Sequence, residues 1–271
     1  MSTCDDLETE ADRVCPALTG SALRPYYASI NRGRQVARES KLAICALARS
    51  VAMTLTRAEA QVNDLADQFG TSHLFICEND SSDSTRSDLQ TWKPRTDSYW
   101  LLGQTWEDPI WPRARDMARA ERMAYYRQLC HDAVMARAAD ADYVLVLDFD
   151  LSSVSTRGVL HTLGQPKWDA VGSNGLARVR TKWVQFDAWA LRDFGSDRPL
   201  SWRDVHPRVL APGRPMLPVN SAFGGLAVYR MAAFKQGRYA GGDCEHVTMH
   251  RSLREAGHGK IYVNPSQVVI Y

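Results

Sequence analysis

The strongest constraint on this chain is an alternation: short apolar runs of strand length, each followed by a longer stretch whose apolar residues recur at helical spacing. KLAICALARS (Lys41 to Ser50) reads as a buried strand. Leu55 to Phe69 carries Leu55, Ala58, Val62, Leu65 and Phe69 on one helical face and is closed by Gly70. SHLFICEND (Ser72 to Asp80) is a second strand running into a polar turn, and DSYWLLG (Asp97 to Gly103) a third. A long Ala-, Arg- and Met-rich helix is predicted between Arg113 and Ala139, with Met117, Ala120, Ala124, Leu129 and Ala133 on its buried side. YVLVL (Tyr143 to Leu147) is the fourth strand. Strands alternating with helices predict an α/β fold with a mostly parallel sheet covered on both faces, its ligand site beyond the strands' carboxyl ends.

The second half changes character. A helix is predicted over Thr156 to Leu163 and a strand over Trp168 to Asn174. The Trp-, Pro- and Arg-rich stretch from Thr181 to Pro218 is long enough to bind a ligand or act as a lid. Val219 to Arg230 reads as one strand, with Gly224 and Gly225 permitting close backbone approach. EHVTMHRSLREAGHG is a glycine-stopped helix, and KIYVNPSQVVIY supplies one or two short strands. The polar segment before residue 41 is expected to be an N-terminal arm.

Composition excludes several classes. A net charge of +2 with 24% charged residues gives no reason to expect a nucleic-acid partner. No apolar run reaches the roughly 18 residues of a membrane span, so work at a membrane would be peripheral. The acidic start MSTCDDLETEADR does not resemble a secretory signal. Cys4, Cys15, Cys45, Cys77, Cys130 and Cys244 form no CxxC pair, and Cys45 and Cys77 sit in strand-like runs as small buried thiols. The expected setting is the reducing cytoplasm.

The fourth strand ends in LDFDL, placing Asp148 and Asp150 one residue apart on the same strand face. Ionised carboxylates there need a partner, and a pair of them suits Mn²⁺ or Mg²⁺, which in turn can grip a diphosphate. ENDSSDST (Glu78 to Thr85) offers short polar groups for ribose hydroxyls and base edges, or is simply an Asx-type turn. In RDMARAERMAYYRQL, Arg119 and Arg127 could fork phosphate oxygens, whereas Arg115 and Arg122 are expected on a solvated face. GGDCEHVTMH brings Asp243, Glu245, His246 and His250 to a helix start. Asp243 there could be an N-cap, and His246 could complete a metal's coordination, although no HExxH zinc pattern is present.

Taken together, ENDSSDST, RAERMAYYRQL, LDFDL, FDAWALRD (Phe186 to Asp193), FGGLAVYR and CEHVTMHRSLREAGHGKIYVNPSQVVIY resemble, in their order, a GT-A glycosyltransferase. The closer resemblance is to the fungal capsule-associated (cryptococcal alpha-1,3-) mannosyltransferase family and related viral and bacterial glycosyltransferases. It spans roughly Lys41 to Tyr271 and implies one Rossmann-like domain: a nucleotide-sugar half over 41–150 and an acceptor half over 151–271 with a smaller sheet. It implies a GDP- or UDP-sugar donor, a saccharide or other hydroxyl acceptor, and a role in polysaccharide or glycoconjugate synthesis. Asp148, Asp150 and His246 would hold the cation. Arg49, Glu78, Asn79, Asp80, Asp83, Arg119, Arg127 and Phe149 would meet the nucleotide, although Gln128 replaces the more usual Asn. Glu245, with Asp243, would be catalytic, and Asp187, Trp189, Arg192, Gly224 and Gly225 would meet sugar or acceptor, with Trp183 a further candidate. Two alternatives stand beside this reading: a haloacid-dehalogenase-type phosphohydrolase with Asp148 as nucleophile, and a nucleotide-sugar-binding protein without turnover.

Overall fold

The computed structural model describes residues 9–14, 20–111 and 115–271. Cys4, Cys15, the first residues of the expected arm and the predicted helix start at Arg113 lie outside them. The helices are α1 (Glu10–Val14), α2 (Leu23–Arg38), α3 (Ala52–Ala66), α4 (Thr85–Thr91), α5 (Met117–Arg137), α6 (Thr156–Leu163), α7 (Trp202–Val205), α8 (Met231–Phe234) and α9 (Glu245–Glu255). The strands are β1 (Lys41–Ala48), β2 (Thr71–Glu78), β3 (Ser98–Leu102), β4 (Tyr143–Asp148), β5 (Ser153–Val154), β6 (Ala170–Val179), β7 (Lys182–Gln185), β8 (Arg192–Asp193), β9 (Leu217–Ser221), β10 (Leu226–Arg230) and β11 (Ile261–Ile270).

The strands join in the order β3-β2-β1-β4-β10-β6-β11-β9-β8, with β5 on β11 and β7 on β6. β1 pairs in parallel with β2 and β4, β2 with β3, and β6 with β11. β10 is antiparallel to both β4 and β6, so the six strands β3, β2, β1, β4, β6 and β11 still share one direction. Side-chain alternation buries both faces. Ala43, Cys45, Val144 and Val146 face the layer containing α5 and α9, while Leu42, Ile44, Leu145 and Leu147 face α2, α3 and α6.

Three expectations change. Val219 to Arg230 is two strands broken at Gly224 and Gly225, whose φ values of +66° and +90° an L side chain rarely adopts. The terminal stretch is one ten-residue strand with an irregularity between Asn264 and Val268. Met117 is 47% exposed, and α5 turns Tyr126, Arg127, Cys130 and His131 inward. Cys45 and Cys77 are buried free thiols, as expected. Among the described residues no helix is long and apolar enough to cross a membrane.

α2 packs on α6 with backbone in contact. A Cβ on Gly33 would lie 1.7 Å from the Leu160 carbonyl oxygen, and one on Gly164 would lie 1.9 Å from that of Ser29. Beneath this crossing His161, 5% exposed, stacks on Tyr26 and meets Asn264 at 3.1 Å. Burial, and then the Arg32 charge, lower its pKa to about 4. The folded protein therefore resists a proton that the unfolded chain accepts at about 6.5, so this contribution is full above pH 6.5 and is lost as pH falls toward 4. The expected loss is about 3 kcal/mol for this residue. Denaturant titrations between pH 7 and 4 should show a shallower decline for His161→Gln than for the parent; identical slopes would remove His161 from the account.

Candidate functional site

The chain leaves β1 for β2 and β3 on one side, whereas β4 lies on the other. The loops following β1 and β4 therefore part at their carboxyl ends and open a crevice. Val144 and Val146 point toward α5 and α9, so Asp148, next on the same strand face, points there too. β4 ends at Asp148, so Asp150 stands in the turn beyond it instead of on the expected strand face, and so does Phe149. Its side chain, expected at the nucleotide, is 2% exposed in the core, and its carbonyl accepts from Thr54 Oγ1 at 3.1 Å.

At the floor of the crevice stands Arg127, also 2% exposed. Its Nη2 donates to Asp148 Oδ1 at 2.6 Å and its Nε lies 3.9 Å from Glu245 Oε1, while Nε and Nη1 have no hydrogen-bond partner. Burial opposes its charge, but Asp148 and Glu245 outweigh burial and raise its pKa. Glu245, the first residue of α9, has its pKa raised by burial, with Arg127 pulling the other way. Asp150 keeps access to solvent at the rim. Desolvation by the surrounding protein, and then the Asp148 charge, push its pKa up to about 6, with Arg127 and Arg119 opposing the rise.

His246 stacks on Phe223 with centroids 3.6 Å apart and planes at 13°. Its buried ring nitrogens lack hydrogen-bond partners, Nε2 lying 3.5 Å from Glu245 Oε1, and burial holds the ring neutral. The mutually repelling Asp148 and Asp150 carboxylates are donors of the type a divalent cation takes, whereas the one carboxylate beside the His246 ring is that of Glu245. Among the described residues no three His, Cys, Asp or Glu side chains already converge on one point. His250, by contrast, is absorbed by Ser221 and Tyr229 at 2.9 and 3.1 Å.

The ENDSSDST turn flanks the crevice but spends its polar groups internally. Glu78 pairs with Arg86 at 2.5 Å and accepts the Ser81 N–H. Asp80, at φ +51°, accepts the N–H groups of Trp106, Glu107 and Asp108, and Asn79 donates to it at 3.2 Å. Asp83 accepts from Ala52 at the start of α3 and from Thr85. Arg49 donates to the carbonyls of Asp108 and Pro109. Together these residues set the crevice wall and the loop above it.

On the opposite wall Asp187 accepts N–H groups from Ala190, Phe223 and Gly224 at 2.9, 3.0 and 2.7 Å, bracing the double-glycine turn. A Cβ on Gly225 would meet Leu151 and Tyr271 at 2.8 Å. Arg192 is fully buried, bonded to the Trp189 and Leu191 carbonyls and paired with Asp243 at 2.8 Å. Asp243 also accepts the Cys244 N–H, although Cys244 rather than Asp243 is the α9 N-cap. Trp189 lies under the Arg119 guanidinium at 5.8 Å, and Trp183 packs with Leu176, Val268 and Ile270.

Two arginines expected on a solvated face are engaged. Arg115 precedes α5 and donates to the Ala188 and Leu200 carbonyls, and Arg122 pairs with Asp108 at 2.7 Å. Sequence reasoning missed Phe223 and Tyr271. FGG carried a signal for Phe223. Nothing in the sequence pointed to Tyr271, whose hydroxyl lies 3.5 Å from Asp148 Oδ2.

No protein-family model matches this chain. No curated protein matches it in sequence either. Solved structures match its fold. S. aureus TarS 1-349 in complex with UDP-GlcNAc aligns with a TM-score of 0.50 at 10% identity, covering 85% of this chain and 58% of that one. The mannosyltransferase PcManGT from Pyrobaculum calidifontis in complex with GDP-Man and Mn²⁺ gives 0.51 at 10% identity, over 93% and 66%. Glucosyl-3-phosphoglycerate synthase from Mycobacterium tuberculosis, in complex with Mn²⁺, UDP and phosphoglyceric acid, gives 0.50 at 15% identity, over 92% and 74%. These are glycosyltransferases, and the likeness is one of fold: a single α/β domain of GT-A architecture. This chain spans less than two thirds of the TarS fragment and of the mannosyltransferase.

Proposed function

We propose that this chain is a cation-dependent glycosyltransferase that moves a sugar from a nucleoside-diphosphate donor to a hydroxyl acceptor, in polysaccharide or glycoconjugate synthesis. The observation carrying this reading is the Asp148, Asp150 and Arg127 group at the switch point of a GT-A sheet. Asp148 and Asp150, with His246 as a further donor, would hold Mn²⁺ or Mg²⁺. When bound, the cation supplies charge neutralisation for the departing diphosphate. Arg127 adds a fixed positive charge at the same place without reorganisation. Glu245, buried and with its pKa raised, takes the acceptor's proton in an inverting reaction. Arg192 and Asp243 position the start of α9, and hence Glu245, and Asp187 positions the double-glycine turn. Arg49, Glu78, Asn79, Asp80 and Asp83 shape the nucleoside wall, and Arg119 adds charge from above. A mannosyl donor, by resemblance to the fungal capsule family, is the specific form of this proposal. The phosphohydrolase alternative would need a free Asp148 nucleophile, and that carboxylate is tied to Arg127.

The test is a melting panel of UDP, GDP and their sugars with and without Mn²⁺. One nucleotide should raise the melting point only when Mn²⁺ is present, by about 2.7 kcal/mol of added stability at a hundredfold excess over Kd. No cation-dependent shift for any nucleotide would overturn the proposal. Glu245→Gln should then lower turnover about 10²- to 10⁴-fold with donor affinity unchanged. Equal losses in both would make Glu245 a binding residue instead.

A further inference from the structure

Asp148 is the inner end of a run of rings leading out of the crevice. Tyr271 touches it, and the Phe186 ring stands 4.2 Å from that of Tyr271. Trp202 follows at 5.7 Å from Phe186, and His206 at 5.1 Å from Trp202. Phe186 and Trp202 are 37% and 41% exposed. Both are held in place: the Phe186 N–H bonds to Gly175 O, the Gln185 N–H bonds to His206 O, and a Ser201–Asp204 capping box fixes the turn carrying Trp202. The Arg115 guanidinium lies 5.6 Å over Trp202, anchored to two backbone carbonyls.

Two fixed, partly exposed rings with the Arg115 guanidinium and His206 beside them suit a ligand with apolar faces and hydrogen-bonding edges. A saccharide has that character: its ring C–H faces stack on aromatic side chains while its hydroxyls reach the polar neighbours. The run is also continuous with the carboxylates at which a hydroxyl would react. We propose that Phe186 and Trp202 form an extended acceptor subsite for a saccharide of at least two rings, laid along the aromatic run with its end at the Asp148 and Glu245 centre. This inference rests on the glycosyl-transfer reading for its choice of acceptor, and it names the acceptor class that reading leaves open.

The experiment is saturation-transfer NMR and calorimetry on the full chain with Mn²⁺ and the nucleoside diphosphate that binds it, using manno- and gluco-oligosaccharides of one to five rings. Affinity should rise with length up to three or four rings. Phe186→Ala and Trp202→Ala should weaken the longer oligosaccharides roughly tenfold, and Trp202→Phe should retain most of the affinity. Affinity independent of length, no binding of any oligosaccharide, or alanine variants that bind like the parent would each overturn the subsite. Release of nucleoside diphosphate from a nucleotide sugar by the unaltered protein, with water as acceptor, separates the two readings. Length-dependent binding without such release sustains the subsite and sinks the transfer chemistry; release without length dependence sinks the subsite alone.

Discussion

If the proposed transfer reaction holds, Asp150→Ala should abolish its cation dependence, with turnover expected to fall on the order of 10³-fold and Mn²⁺ no longer raising the melting point. The effect is large because the Asp148 carboxylate already shares its charge with Arg127, leaving Asp150 as the more available oxygen donor at the rim. Asp150→Asn separates binding from folding. With a folded-state pKa of about 6 against an ordinary 3.8, the carboxylate favours the fold below 3.8, and that contribution is lost as pH rises through 6. At pH 7.5 without cation the ionised group therefore opposes the fold, and the amide relieves it. Asp150→Asn should melt no lower than the parent in chelator, yet fail to respond to Mn²⁺. A variant that still gains stability from Mn²⁺ would remove Asp150 from the site.

Arg127→Met should be the most destabilising substitution near the crevice, at about 3–5 kcal/mol, because it strands carboxylates that the guanidinium now compensates. Glu245 is almost wholly buried, and Asp148 is only partly open to water. Arg127→Lys keeps the charge but not the fork, so it should fall between the two. Mn²⁺ should recover part of the stability lost in Arg127→Met, since a cation at Asp148 supplies charge to the same carboxylates. Urea titrations with and without Mn²⁺ measure both effects. A loss below 1 kcal/mol would mean that the carboxylates find other partners and that Arg127 is not their counter-ion.

Much of this site could be read from the sequence because strand periodicity is geometric. YVLVLDFD places Val144, Val146 and Asp148 on one face, and the α5 and α9 layer lies on that face. The helix start at Glu245 and the close approach at Gly224 and Gly225 followed from equally local signals. Phe149 was misplaced because the strand stops at Asp148 and the following turn packs its ring into the core. The polar turn residues were harder to read. Asp80 and Asp187 look like ligand groups in sequence, yet each accepts two or more backbone N–H groups from segments that only the tertiary fold brings near, and Asp83 accepts one such N–H from Ala52 beside a local one from Thr85. On α5 the expected Ala120 and Ala124 are buried and Leu129 and Ala133 pack against the core, whereas Met117 is exposed and the inward turn of the charged Arg127 completes the buried face. Tyr271 reaches that carboxylate through the parallel pairing of β11 with β6, a contact without a local sequence pattern.

The most direct measurement is the anomalous scattering of manganese in crystals grown with Mn²⁺ and the nucleoside diphosphate that binds the protein. A peak bridging a carboxylate oxygen of Asp148 or Asp150 and the diphosphate is the predicted result. Manganese bound elsewhere, or a diphosphate seated without metal while Asp148 stays wholly on Arg127, would contradict the account.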